Sequence, residues 1–256
     1  MTDSSAAAPA PSSRPGGRVL LASNDADAIR QLSESAAPLA ISLEVCTDPS
    51  KAVRLLGQSK FEAVIVDLEL GQQGQSVLEQ VRASQRNRTA VTFIITSRNP
   101  EGTSAFRTGS NFVLHRPLSI DTIDRTFRAA YGMIVRELRR SFRCPMAVVA
   151  VVQRPGQEDI RCQTLDISEG GLGLATSLVL EPGTQVSIVF TLPGRTASFF
   201  APSELCWCDS KGRLGLRFLS LSSGQKSELQ GWLSTRLENV LPEGVMERFR
   251  RTPSGC

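Results

Sequence analysis

The sequence predicts two domains: an α/β doubly wound five-stranded parallel sheet, followed by a small antiparallel six-stranded β-barrel with a C-terminal helix. Three observations lead there. The chain has 256 residues, too long for one typical domain of about 100–150 residues and comfortable for two. Its first half alternates short apolar runs with segments of helical spacing, the pattern of strands joined by crossover helices. Its second half is a succession of strand-like runs separated by Gly- and Pro-containing turn dipeptides.

The composition suits ordinary globular cores. Hydrophobic residues make up 41% and charged residues 21%, which excludes collagenous and wholly disordered chains. No apolar run approaches the roughly 18–20 residues of a membrane span. Residues 1–17 are rich in Ser, Ala, Pro and Gly. They lack the basic start and apolar stretch of a secretory signal. Such a segment buries too little apolar area to offset its ordering entropy and reads as a flexible leader. A cytoplasmic location is expected.

In the first domain, expected over 18–130, five apolar runs supply the strands: RVLLA (18–22), ISLEVC (41–46), FEAVIVD (61–67), AVTFIIT (90–96) and NFVLH (111–115). Between them Ala28, Ile29 and Leu32, then Val53, Leu55 and Leu56, then Val77, Leu78 and Val81 repeat at helical spacing. Strand–helix alternation of this kind implies a parallel sheet with helices on both faces, with chemistry at the carboxyl ends of the strands. The last helix is unusually long. Ile120, Ile123, Phe127, Ala130, Ile134 and Leu138 recur every three or four residues, and Ser119 with Asp121 offers a cap. One helix therefore runs to about Arg140 and carries the chain out of the first domain.

In the second domain, expected over 131–240, the strands are MAVVAVV (146–152), DIRCQTLDI (159–167), GLGLAT (171–176), TQVSIVFTL (184–192), ASFFAPSELCWC (197–208) and LGLRFLSL (214–221). Pro155-Gly156, Gly170-Gly171, Pro182-Gly183, Pro193-Gly194 and Lys211-Gly212 punctuate them, as turns require. A helix capped by Ser222 or Ser223 follows, with Leu229, Leu233, Leu237 and Val240 on one face and Trp232 placed to cover the barrel. Residues 241–256 are polar and read as a flexible tail, in which Arg248, Arg250 and Arg251 either meet an acidic surface or, as expected of a tail, are solvated.

Chemistry-bearing residues are few. Six cysteines, Cys46, Cys144, Cys162, Cys206, Cys208 and Cys256, contain no Cys-x-x-Cys pair, and His115 is the only histidine. No metal is expected from such a set. Strand alternation turns Cys206 and Cys208 to one face, and the thiols read as packing residues of a reducing compartment. One histidine and no activated nucleophile also leave little for acid/base catalysis, so an enzyme is not expected. The net charge is only +4. The segment RELRRSFR (136–143) nevertheless packs four arginines against one glutamate, a concentration that points to an anionic partner.

Two short patterns frame the start of the barrel. Arg139-x-x-x-Arg143, with Arg140 beside it, is followed by Asp166-x-Ser168-x-x-Gly171. Arginine forks onto a phosphate or a guanine edge while its flat face stacks on a purine. Asp166 and Ser168, two apart, project the same way, a carboxylate to accept from guanine hydrogens and a hydroxyl beside it. Gly170 and Gly171 remove bulk and permit positive φ. The same residues also serve as ordinary helix-end arginines and a hairpin turn. Taken together, with the GLRF strand (215–218) and the closing helix, they make 136–238 resemble a PilZ domain. That resemblance implies a six-stranded barrel that binds cyclic di-GMP. It assigns the ligand to Arg139, Arg143, Asp166, Ser168 and Gly171, and the adjacent Arg140 and Gly170 complete the expected site.

The first half resembles a response-regulator receiver domain over 18–130. Asp67 ends the third strand, where a phospho-acceptor sits; Thr96 ends the fourth, and Arg116-Pro117 follows the fifth where receivers usually show Lys-Pro. Receivers also hold Mg²⁺ on acidic residues after the first strand, and here that loop reads Ser23-Asn24-Asp25. Magnesium binds through carboxylates, so a degenerate receiver, not phosphorylated, is expected, with Asp67 as a strand-end residue paired with Arg116. The expected protein is thus a bacterial signalling protein that binds cyclic di-GMP and meets an unidentified protein partner through its receiver-like domain, without direct DNA binding. The alternatives are a phosphorelay regulator phosphorylated on Asp67 and a scaffold in which neither site works.

Overall fold

The computed structural model describes residues 17–97, 109–177 and 180–239. The expected leader and tail, with Arg248, Arg250, Arg251 and Cys256, lie outside them, as does Val240. Two compact units divide between Leu138 and Arg139.

The first unit contains β1 (Arg18–Ala22), α1 (Ala26–Ala36), β2 (Ser42–Cys46), α2 (Pro49–Gln58), β3 (Ala63–Asp67), α3 (Gln72–Ala83), β4 (Val91–Thr96), β5 (Phe112–His115) and α4 (Ile120–Ser141). Every described pairing in its sheet is parallel, in the order β2-β1-β3-β4-β5. This is a doubly wound sheet whose strand order reverses between β1 and β3, which places a crevice at the carboxyl ends of those two strands. β3 and β4 are buried along their whole length, as central strands covered on both faces must be. Asp25 caps α1 by accepting from Asp27 N at 2.9 Å and Ala28 N at 3.2 Å. Asp48 and Pro49 start α2 in the same way. These are preferred N-terminal residues because they satisfy orphan N–H groups or lack one.

α4 carries buried Ile123, Phe127, Ala130, Tyr131, Ile134 and Val135 on one face. Glu137 is buried near its end and is met by Lys60 Nζ at 3.1 Å and Thr89 Oγ1 at 2.8 Å. A carboxylate is tolerated inside because both a cation and a hydroxyl compensate for its lost hydration.

The second unit is a barrel of six strands, β7 (Val149–Gln153), β8 (Ile160–Ser168), β9 (Gly171–Ala175), β10 (Gln185–Thr191), β11 (Ser198–Cys208) and β12 (Arg213–Phe218), all paired antiparallel and closed by β8 against β9. Closure removes the exposed edges of an open sheet. A two-residue strand, β6 (Cys144–Pro145), adds to the far end of β8. Alternation along β10 and β11 puts Val186, Ile188, Phe190, Phe199, Ala201 and Leu205 inside. The final helix, α5 (Ser223–Glu238), begins with a capping box between Ser222 and Gln225. It closes the core with Leu229, Trp232 and Leu233; the Trp232 indole donates to the Pro193 carbonyl at 3.1 Å.

Candidate functional site

The barrel face around Asp166 is built by two irregularities. Along β8, Cys162 and Thr164 point inward, but the pairing with β9 skips a residue between Thr164 and Asp166. Leu165 is the extra residue, and after it the inward position falls to Ile167. A bulge thus re-aims the strand, which turns Asp166 to the outer face; Ser168 shares its phase but is itself buried. β6 is the second device. Cys144 pairs with Ile167 and Pro145 with Asp166, so the residue before β6, Arg143, is delivered beside Ser168.

Arg143 closes on that strand. Its Nε and Nη2 donate to Asp166 Oδ1 at 2.9 and 2.6 Å, and its Nη1 lies 3.5 Å from Ser168 Oγ. Ser168 Oγ donates to the Gly171 carbonyl at 3.0 Å. Arg143 and Asp166 remain open to solvent, with side-chain exposures of 47% and 36%. The structure therefore brings Arg143, Asp166, Ser168 and Gly171 into one contact group. Arg140 is exposed. Arg139 is half-buried; desolvation lowers its pKa, against the opposing charges of Glu238 and Glu169.

The glycines act differently from the sequence expectation. Neither Gly170 nor Gly171 has positive φ. Gly170 borders open space, whereas a Cβ at Gly171 would lie 2.0 Å from the Leu216 carbonyl oxygen. Gly171 is required because β9 and β12 approach too closely for a side chain, and Gly170 carries no such constraint.

The strand register extends this face in a way the sequence motifs do not show. One row of partners across four strands reads Asp166, Gly173, Gly215, Trp207. The Asp166 carboxylate covers Gly173, where a Cβ would be 3.2 Å from Oδ1, and the Trp207 indole covers Gly215, where a Cβ would be 2.2 Å from Nε1. Trp207 is nevertheless 48% exposed, so one ring face is buried on glycine and the other is presented. The pairing of β11 with β12 shifts between Leu205 and Trp207. Cys206, Trp207 and Cys208 are all exposed, so Cys206 and Cys208 are not the packing thiols that the sequence suggests, whereas Cys46, Cys144 and Cys162 are buried. The signal available in sequence was the pair Gly173 and Gly215, two glycines inside strands, which mark close approach by another group.

The crevice of the first unit is a contrasting arrangement. Asp67, at the end of β3, is buried; its Oδ2 accepts from Ser23 Oγ at 2.8 Å and from Arg116 Nη2 at 2.6 Å, and its Oδ1 accepts from Glu69 N at 3.1 Å. Arg116 also donates to Asp25. Burial opposes the Arg116 charge, but the hydrogen bond and charge of Asp25 and the charge of Asp67 raise its pKa. Asp25 is held below the ordinary carboxylate range, first by the Ala28 N–H and then by Arg116. A magnesium ion does not fit this pocket. It takes hard oxygen ligands in near-octahedral array, whereas here the Arg116 guanidinium already holds both Asp25 and Asp67, and the neighbouring Ser23 and Asn24 bring no carboxylate.

With this geometry in place, residues 137–234 match the family model of the PilZ domain. The second unit is a PilZ domain, a member of a cyclic di-GMP-binding family, and the unit before it has a receiver-like fold. No curated protein matches the chain. Solved structures similar to its first part include the receiver domain of a sensor histidine kinase from Pseudomonas aeruginosa PAO1, at 20% identity and TM-score 0.41, covering 46% of this chain and 98% of that one. The chemotaxis response regulator CheY4 of Vibrio cholerae matches at 16% identity and TM-score 0.41, covering 44% of this chain and 96% of that one. The Bacillus subtilis inhibitor of motility MotI/DgrA matches at 21% identity and TM-score 0.34, covering 38% of this chain and 50% of that one. Among the described residues no helix is long and apolar enough to cross a membrane.

Proposed function

We propose that the protein is a cyclic di-GMP receptor rather than an enzyme, and that its receiver-like unit takes up no phosphoryl group and serves a protein partner. The observation that carries the reading is the Arg143–Asp166 pair, open to solvent with buried Ser168 beside it on a barrel face floored by glycine. Cyclic di-GMP presents two phosphates and two guanines. Arg143 matches a phosphate or guanine edge, Asp166 accepts from guanine N–H groups, and the presented Trp207 ring offers a stacking surface. Arg139 and Arg140 add positive charge at the helix end, and Gly171 keeps the floor low. No metal takes part.

An exposed ion pair contributes only about 0–1 kcal/mol, so the Arg143–Asp166 pair can open toward a ligand at little cost. Calorimetry of the full chain with cyclic di-GMP is expected to show binding at micromolar affinity or better. Arg143→Ala is expected to lose about 2 kcal/mol, roughly thirtyfold in affinity. No heat with the wild type, or unchanged affinity in Arg143→Ala, overturns the reading.

The second half of the proposal rests on Asp67 being saturated by Ser23, Glu69 N–H and Arg116. Incubation with acetyl phosphate and Mg²⁺ is expected to leave the intact mass unchanged. A stoichiometric phosphoryl adduct that disappears in Asp67→Ala would instead establish the phosphorelay regulator.

A further inference from the structure

On the barrel face, one row of partners runs Ser168, Gly171, Arg217, Glu204 across β8, β9, β12 and β11. It lies beside the row that ends in Trp207, about 6.6–6.8 Å along the strands. Leu214 and Leu216 point into the core, so alternation puts Gly215 and Arg217 on the outer face. Gly171, between Ser168 and Arg217, contributes no side chain. Arg217 therefore faces Ser168 across a bare strand, about two strand spacings, or roughly 10 Å, away.

Arg217 repeats the chemistry of Arg143. It is 60% exposed and its Nη2 donates to Glu204 Oε2 at 3.0 Å. Its pKa is raised by the Glu204 hydrogen bond, then the Glu204 charge, then the nearby Cys206 thiol. The face thus carries two arginine–carboxylate pairs, Arg143–Asp166 and Arg217–Glu204, on either side of a glycine floor. A single phosphate or base needs one such pair; a ligand with two phosphates and two guanines can use both. Neither motif of the sequence contains Arg217 or Glu204.

Building on the receptor reading above, we infer that Arg217 is a further ligand-binding residue of this site and that Glu204 is its positioning residue, the pair forming a second arm toward a doubly anionic dinucleotide. Arg217 supplies a fork for phosphate or guanine, and Glu204 holds that fork over the strip rather than out in solvent.

The test is calorimetry with cyclic di-GMP on the full chain, using Arg217→Ala, Arg217→Lys, Glu204→Gln and, as a distant exposed arginine of the same barrel, Arg161→Ala. Arg217→Ala is expected to weaken binding about tenfold. Arg217→Lys should recover only part of this, because an ammonium lacks the planar fork. Glu204→Gln should fall between wild type and Arg217→Ala, and Arg161→Ala should match wild type. An independent readout uses Cys206, which lies beside Arg217: saturating cyclic di-GMP should slow its alkylation by iodoacetamide, followed by peptide mass spectrometry. Wild type that does not bind removes the receptor reading as a whole. Wild type that binds, with Arg217→Ala within twofold of it or with Cys206 alkylated at an unchanged rate, overturns this inference and leaves the receptor reading standing.

Discussion

The two halves of the molecule use the same pair of residue types to opposite ends. In the first unit Arg116 meets Asp67 where their side chains are 21% and 1% exposed; in the barrel Arg143 meets Asp166 at 47% and 36%. Burial decides what an arginine–carboxylate contact can do. Where water is excluded, opening the pair strands a charge, so the contact acts as part of the core. Where water is present, solvent compensates both partners and the contact can be exchanged for a ligand. Asp67 also has Ser23 and the Glu69 N–H, so its carboxylate is tied into the core from three sides. A motif residue must therefore be judged by its surroundings as well as by its place in the chain.

The most direct way to break this contrast is to remove each arginine. Arg116→Ala leaves buried Asp67 without its cation and is expected to destabilise by about 3–5 kcal/mol, whereas Arg143→Ala should cost no more than about 1 kcal/mol of stability. Urea unfolding followed by circular dichroism measures both; equal costs would show that the two pairs are alike.

A second expectation concerns the barrel core. Burial pushes the Cys162 thiol from 9.0 up to about 11. The folded state keeps a proton that the unfolded chain loses, so stability is unaffected below pH 9 and declines as pH rises from 9 to 11. A two-unit difference corresponds to about 2.7 kcal/mol. Both tryptophans, Trp207 and Trp232, belong to the barrel, so their fluorescence follows its unfolding. The alkaline decline should largely vanish in Cys162→Ala.

The smallest effects separate neighbouring glycines. Gly171→Ala forces β9 away from β12 and is expected to cost about 1–3 kcal/mol, while Gly170→Ala should stay within about 0.5 kcal/mol. Thermal unfolding of the two variants checks the order; a reversed order would place the close approach at the wrong residue.

Much of the fold was legible because each strand run is apolar and each helix repeats at its own period. RVLLA became β1 without a residue's change, and β2 to β5 each started within two residues of their apolar runs. The Arg143–Asp166–Ser168 group was legible from residue types and spacing, as was the pairing of Asp67 with Arg116. What escaped were features set by partners distant in sequence. β6 is two residues long and exists only because β8 is there to receive it. Trp207 owes its exposed ring to a shifted register against β12. The role of Gly171 lies in the Leu216 carbonyl, far along the chain. Local pattern fixes which residues are strand; cross-strand register decides which of them face each other.

The bulge at Leu165 has a consequence for how such a barrel can vary. Upstream of it the interior of β8 is written in even-numbered residues, Cys162 and Thr164, and downstream in odd ones, with Ile167. The change of phase is the work of one unpaired residue. Were β8 to pair straight through at its present length, Leu165 would stand opposite Gly173 and Asp166 opposite buried Leu172, a carboxylate in the core; deleting Leu165 instead sets Thr164, Asp166 and Ile167 consecutively against Leu174, Gly173 and Leu172, with Asp166 still outward. The strand therefore tolerates loss of the inserted residue itself, whereas a deletion downstream of it, at Ile167, would leave the outer face and the core out of step.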